Sequence, residues 1–258
     1  MSNITPSDLN VFEQLSHSRG GNAPLTFLDL IHRQTIDFEL ASWLMSQVCG
    51  GASFIIGAGP GGVGKTTLMR SLLSFVPSSC PLVIALPGQI SSPESSPHCF
   101  ISLELSDHRP PGYLWGQDLE DFFKLSTDGH ILVGNMHVDS LDQAEEEICQ
   151  RNNVTKEQFL SINLFIFLRV EGEELSTRRI NNTEARRYIS SIYLTESGEK
   201  HQLAYSSEEG FSSNIHRNMI LEQSCLQFLQ KLRSNQTMTV SEIRSQFLAW
   251  EQESKKTK

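Results

Sequence analysis

The stretch IIGAGPGGVGKTTLMRSLL, residues 55–73, decides the fold. Its GPGGVGKT core fits the phosphate-gripping pattern G-x-x-x-x-G-K-[ST] at residues 59–66. The pattern needs a strand before it and a helix after it; the apolar SFIIGA enters the loop and the helix-competent TLMRSLLSF leaves it. Gly61, Gly62 and Gly64 allow backbone N–H groups to point inward at phosphate oxygens, in dihedrals that side chains would block. Lys65 then neutralises the β and γ phosphates, and the Thr66 hydroxyl is the predicted Mg²⁺ ligand. The helix opening at about Lys65 adds its positive dipole end. The predicted cofactor site therefore comprises Gly59, Pro60, Gly61, Gly62, Val63, Gly64, Lys65, Thr66 and Thr67, with ATP and Mg²⁺ as its ligands.

Outward from this loop, apolar bursts at residues 54–56, 82–86, 100–105 and 131–136 alternate with helical stretches. Such short runs predict a parallel sheet buried on both faces. Between residues 160 and 205 the character changes: LFIFLRVEG, YISSIYLTESG and HQLAY are closely spaced and joined by polar turns, which predicts antiparallel strands. Before the loop, residues 27–48 carry two amphipathic helices joined around Gln34. After Gly210, NMILEQSCLQFLQKLRSN places Ile220, Leu221, Cys225, Phe228, Leu229 and Leu232 on one helical face. Thr239 and Glu242 form a capping box ahead of Ile243, Phe247 and Trp250. The expectation is an α/β fold: a P-loop core with a mostly parallel sheet, an antiparallel extension and flanking helices. It divides into a helical lead-in at residues 1–50, the nucleotide-binding core at 51–205 and a helical appendage at 206–258. Residues 88–98, GQISSPESSPH, read as a surface loop.

A formal charge of -9 over 258 residues argues against general binding to nucleic acid or anionic lipid, so no nucleic-acid partner is expected. The five cysteines are odd in number and widely spaced, with no C-x-x-C pair, and read as reduced thiols of a cytoplasmic protein. No apolar run approaches the ~18 residues a membrane span needs, and MSNITPSDLN lacks the features of a secretory leader.

Hydrolysis requires an acidic group at the end of a strand neighbouring the loop. The run at residues 82–86 ends in Pro87 without one. FISLELSD offers Glu104 within its predicted strand and Asp107 beyond it, where Asp107 more naturally opens the turn DHRPPG; MHVDS offers Asp139. Glu104 is favoured, because a carboxylate within an apolar strand is costly unless it serves a site or finds a partner. Its alternative is a Glu on the solvated face of an edge strand. Tryptophans 43, 115 and 250 read as packing residues, and the double arginines Arg178–Arg179 and Arg186–Arg187 as solvated turns, although in a ring one such arginine could reach a neighbour's γ-phosphate as a finger, with nothing in the sequence to select which.

The deviant P-loop of partitioning ATPases carries a lysine where this chain has Pro60, and NB-ARC signalling ATPases need large sensor or repeat regions. The segment GHILVGNMHVDSLDQA, residues 129–144, instead resembles the histidine box of the type II and type IV secretion and pilus ATPase superfamily. Gly129, His130, His137 and Ser140 occupy its places, and Asn135 stands where the family usually has Thr. The likeness spans roughly residues 25–205 and is loose outside the P-loop and histidine box.

The resemblance implies a RecA-like motor core, ATP hydrolysis with Mg²⁺, homo-oligomers of hexameric form and docking on a membrane-associated complex. It implies that His137 reports the γ-phosphate and that His130 supports it, so Glu104, His137 and His130 are the candidate catalytic residues. Two departures stand out: Leu86 and Pro87 occupy the place of the family's acidic box, and no counterpart of its large N-terminal domain is recognisable. Both point to a reduced or divergent member. The alternative is an ATP-dependent switch or adaptor that binds nucleotide and hardly hydrolyses it. A small-molecule kinase is disfavoured, since no second basic cluster with a lid-like loop is evident.

Overall fold

The apolar bursts become strands whose alternate residues are buried on opposite faces. In the computed structural model, which describes residues 4–16, 24–93, 97–108, 110–172, 178–196, 198–233 and 238–256, the sheet has eight strands. These are β1 (Phe54–Gly57), β2 (Leu82–Ile84), β3 (Cys99–Ile101), β4 (Ile131–Met136), β5 (Leu164–Val170), β6 (Arg187–Leu194), β7 (Gln202–Ser206) and β8 (Gly210–Phe211). Their order is β2-β3-β4-β1-β5-β6-β7-β8. The first five are parallel, and β6, β7 and β8 continue antiparallel from β5. The mostly parallel sheet with its antiparallel extension is thus the predicted one.

Phe54, Ile56, Val133, Leu164 and Ile166 point into one hydrophobic cluster; Ile55, Leu132, Phe165 and Phe167 point into another. The period of two, buried on both sides, is why these strands read as continuous apolar runs. Each such side chain contributes about 1.5–3 kcal/mol by leaving water.

The first face is covered by α1 (Pro6–Ser16), α2 (Phe27–His32), α3 (Phe38–Cys49), α4 (Lys65–Leu73), α8 (Met219–Arg233) and α9 (Val240–Lys256). The second is covered by α5 (Gln117–Lys124), α6 (Leu141–Glu145), the π turn Glu146–Gln150 that extends α6, and α7 (Lys156–Leu160). Caps fix several helix starts: Thr26 with Asp29 for α2, Asp37 for α3 and Thr239 with Glu242 for α9. Gln34 turns the chain between α2 and α3 with φ of 56°.

Helix α9 is tied back to α1 by a buried ion pair and to the segment after α4 by a hydrogen bond. Arg244 lies 3.1 Å from Asp8 and also donates to the Val76 carbonyl. Asp8 in turn accepts from the Leu82 N–H at the start of β2.

Two local expectations are corrected, and two elements were not foreseen. Ile220 is 84% exposed, because α8 has only just begun there and Met219 and Ile220 project beyond the packed stripe that starts at Leu221. The burst at 100–105 is a strand only to Ile101, so Glu104 lies beyond β3. The two-residue β8 and the helix α1 carry too short or too polar a pattern to stand out in sequence. Trp43 is fully buried, and the five cysteines form no disulfide. Residues 94–96 of the 88–98 loop, Arg109 of DHRPPG and the last two residues of the KKTK tail lie outside the described residues. Among the described residues, no helix is long and apolar enough to cross a membrane.

Candidate functional site

Because β1, β3, β4 and β5 are parallel, their following loops emerge at one edge of the sheet, where ligands of α/β folds bind. The edge is built from the phosphate loop after β1, Glu104 after β3, residues 137–139 after β4 and residues 178–180 between β5 and β6.

The loop has the backbone a phosphate cradle needs. Gly62 and Gly64 adopt φ of 84° and 116°, and a Cβ at Gly64 would meet nothing within 4 Å, so the cradle is open there. Helix α4 starts at Lys65, directing its free N–H groups and dipole towards the same space. Thr66 and Thr67 are half-buried in its first turn, and Val63 is buried as an anchor of the loop. Pro60, also buried, follows Gly59. These residues fit a triphosphate, with the Thr66 hydroxyl and the Glu104 carboxylate as the available hard oxygen donors for Mg²⁺.

Glu104 is positioned by an irregularity in sheet pairing. Ile101 pairs with Val133, but Leu105 pairs with Met136, so four steps on one chain match three on the other. The extra residue re-aims the side chain, as bulges beside active sites do. Leu114 N–H donates to the Glu104 carbonyl, and the buried Asn135 amide donates to the carbonyl of Leu103. Asn135, at the place where the resembled family has Thr, therefore holds the segment that carries Glu104. Since β3 lies between β2 and β4, the edge-strand alternative for Glu104 is excluded.

Lys65 Nζ lies 3.8 Å from Glu104 Oε1, 3.1 Å from His137 Nδ1 and 3.2 Å from the Ala58 carbonyl. Lys65 and Glu104 are both buried. Glu104 Oε1 makes no hydrogen bond, and burial pushes its carboxyl above the usual range against the opposing pull of Lys65 and His137. His137 Nδ1 is 2.9 Å from the Gly59 carbonyl, which can only accept. The same Nδ1 is the ring nitrogen nearer Lys65, and Nε2 lies 3.8 Å from Glu104 Oε2.

Of the predicted residues, the structure brings the loop, Glu104 and His137 together and leaves His130 apart. His130 immediately precedes β4, whereas His137 immediately follows it. At about 3.3 Å per residue the strand separates them by roughly 20 Å. His130 Nδ1 accepts from His98 N–H, Nε2 meets Ser92, and the ring packs on Phe100. Burial, and then the neighbouring His98, lower its pKa against the pull of Asp128. His130 thus lies at the end of β4 opposite the phosphate loop. Ser140 caps α6 by accepting from Gln143 N–H.

Two contributors were passed over in the sequence. Asp139 Oδ1 accepts from Gly59 N–H at 2.7 Å, so residues 137 and 139 grip both the carbonyl and the N–H of Gly59. The segment at Arg178 lies on the loop: Gly61 N–H donates to the Arg178 carbonyl at 3.0 Å, and Ile180 N–H donates to the Gly61 carbonyl at 2.8 Å. Asp139 was visible as a strand-end acid. The backbone pairing at Gly61 has no side-chain signature.

A cavity of about 1420 Å³ lies elsewhere, between the α2–α3 turn, β6, β7, Arg233 and Met238–Thr239. It shares no residue with the phosphate loop.

No family model matches this chain, and no curated protein is significantly similar to it. Among solved structures, the VirB11 ATPase from the Brucella suis type IV secretion system, in complex with sulphate, is 17% identical over 75% of this chain and 63% of its own, with a TM-score of 0.41. The Legionella pneumophila ATPase DotB is 11% identical over 92% of this chain and 63% of its own, with a TM-score of 0.39. The chain thus covers less than two thirds of either structure. Likeness this distant decides nothing about chemistry.

Proposed function

We propose that the protein is a Mg²⁺-dependent ATPase that couples hydrolysis to conformational work on a partner or a neighbouring subunit. The observation that supports this reading is the convergence of Lys65, Glu104 and His137 from three separate strand ends at the mouth of the phosphate loop.

In this reading the loop amides and Lys65 hold the β and γ phosphates, and Lys65 exchanges its contacts with Ala58 and His137 for phosphate oxygens. Thr66 and Glu104 would hold Mg²⁺, which when bound would neutralise phosphate charge and polarise the terminal phosphoryl group. Glu104 would orient the attacking water. His137, freed from Lys65, would report the γ-phosphate by donating a ring N–H to it.

The motor assignment, with hexameric assembly, cytoplasmic location and docking at a membrane-associated complex, rests on the resemblance at the P-loop and histidine box. Calorimetric titration tests the binding half: wild type binds Mg·ATP, and Lys65→Ala loses that binding. Equal binding by both chains would remove the phosphate-loop assignment.

A further inference from the structure

The β5–β6 connection does more than pass the phosphate loop. Residues 178–180 bridge Gly61 in the parallel sense through the two backbone hydrogen bonds already described. Contact continues at the next loop residue, since a Cβ on Gly62 would come within 2.5 Å of the Ile180 carbonyl. Ile180 anchors this strap by burying its side chain in the main hydrophobic cluster.

Neighbouring side chains in an extended bridged segment point to opposite faces. With Ile180 directed into the core, Arg179 is directed the other way. Its Cγ lies 3.9 Å from where a Gly61 Cβ would be, and His137 Cε1 lies 4.0 Å from the same point. Arg179 and His137 therefore flank the tip of the loop. Arg178 and Arg179 are exposed, and neither guanidinium has an ion-pair partner among the described residues. Two arginines without an ion-pair partner among the described residues are thus held beside a cradle for a strongly anionic ligand, in a chain whose net charge is -9.

We propose that Arg179 is a phosphate-binding residue of the same subunit's site, contacting the terminal phosphate of a bound nucleoside triphosphate. The proposal rests on the phosphate-loop reading above and adds a residue and a direction to it. The strap delivers the side chain in cis, because the backbone that carries it is hydrogen-bonded to the loop it serves. A guanidinium at that position distinguishes a triphosphate from a diphosphate, since only the former extends past Lys65 towards the loop tip. Arg178, on the opposite parity, is not its equivalent.

The test is calorimetric titration of wild type, Arg179→Ala, Arg179→Lys and Arg178→Ala with Mg²⁺ and either ADP or a non-hydrolysable ATP analogue. Arg179→Ala is expected to weaken the analogue by about tenfold or more, as loss of a charge-assisted hydrogen bond does, while ADP affinity changes less than threefold. Arg179→Lys is expected to recover part of the loss, and Arg178→Ala to bind both ligands nearly as wild type. Equal loss for both nucleotides, or no loss for either, would overturn the proposal.

Mixing Arg179→Ala with Lys65→Ala chains tests the direction. No recovery of turnover beyond the average of the two is expected, whereas recovery would show the arginine acting between subunits and overturn the assignment in cis. If the wild-type chain binds neither nucleotide, the phosphate-loop reading falls and this proposal falls with it. Tight binding with no arginine effect removes this proposal alone.

Discussion

Lys65 Nζ and Glu104 Oε1 face each other at 3.8 Å inside the sheet edge, both on side chains that are 7% exposed. They are brought together from β1 and β3, which are not adjacent, because β4 separates those strands and contributes His137 between them. Burial raises the Glu104 pKa above its ordinary 4.5, so the folded state favours the neutral acid. Its contribution to stability is therefore fully present below about pH 4.5 and is lost as pH rises through the raised folded value. Glu104→Gln removes this dependence. Denaturant melts between pH 4.5 and 8 are expected to show wild type losing stability relative to Glu104→Gln as pH rises; parallel curves would contradict the assignment.

The His130 assignment makes an opposite kind of prediction. Substitution by Ala leaves the His98 N–H without its acceptor and is expected to cost about 1–3 kcal/mol of stability, with nucleotide affinity and turnover unchanged. Because burial depresses the folded pKa below 6.5, the neutral ring's stabilisation is present above that value and lost as pH falls through the folded one. The pH dependence of wild type against His130→Ala between pH 5 and 7.5 measures it.

The two positive-φ loop glycines are not equivalent. Gly64→Ala meets open space and incurs only backbone strain, about 1–2 kcal/mol. Gly62→Ala incurs that strain and also collides with the Ile180 backbone, adding about 1 kcal/mol or more. Chemical denaturation of both variants is expected to rank Gly62→Ala as the less stable. The reverse ranking would indicate that the strap does not rest on the loop.

The Asp8–Arg244 pair is buried on both sides. Removing Arg244 alone strands a carboxylate and is expected to cost about 3–5 kcal/mol, while the double change to apolar residues costs markedly less. A double-mutant cycle read by urea melts gives the coupling.

How much of this was legible depends on how local each signal is. The phosphate loop, its flanking strand and helix, and the buried parallel strands follow from residues within one short window, and they appear where expected. Glu104 was legible as a costly acid, but the bulge that aims it needs the register against β4. His130 shows the hazard of spacing without geometry. The two histidines bracket the six residues of β4, and a fully extended strand of that length already places them at opposite edges of the sheet. The Arg178–Ile180 contact at Gly61 joins residues far apart through backbone atoms, for which no residue type is selected, so the double arginine read as a solvated turn.

The most direct measurement is steady-state phosphate release from Mg·ATP by wild type, Lys65→Ala and Glu104→Gln, with nucleotide binding measured on the same preparations. The account predicts turnover by wild type, none by Lys65→Ala, and a loss of roughly 100-fold or more in Glu104→Gln with ATP still bound. Tight ATP binding without turnover by the wild-type chain would contradict the ATPase and leave a nucleotide-dependent switch.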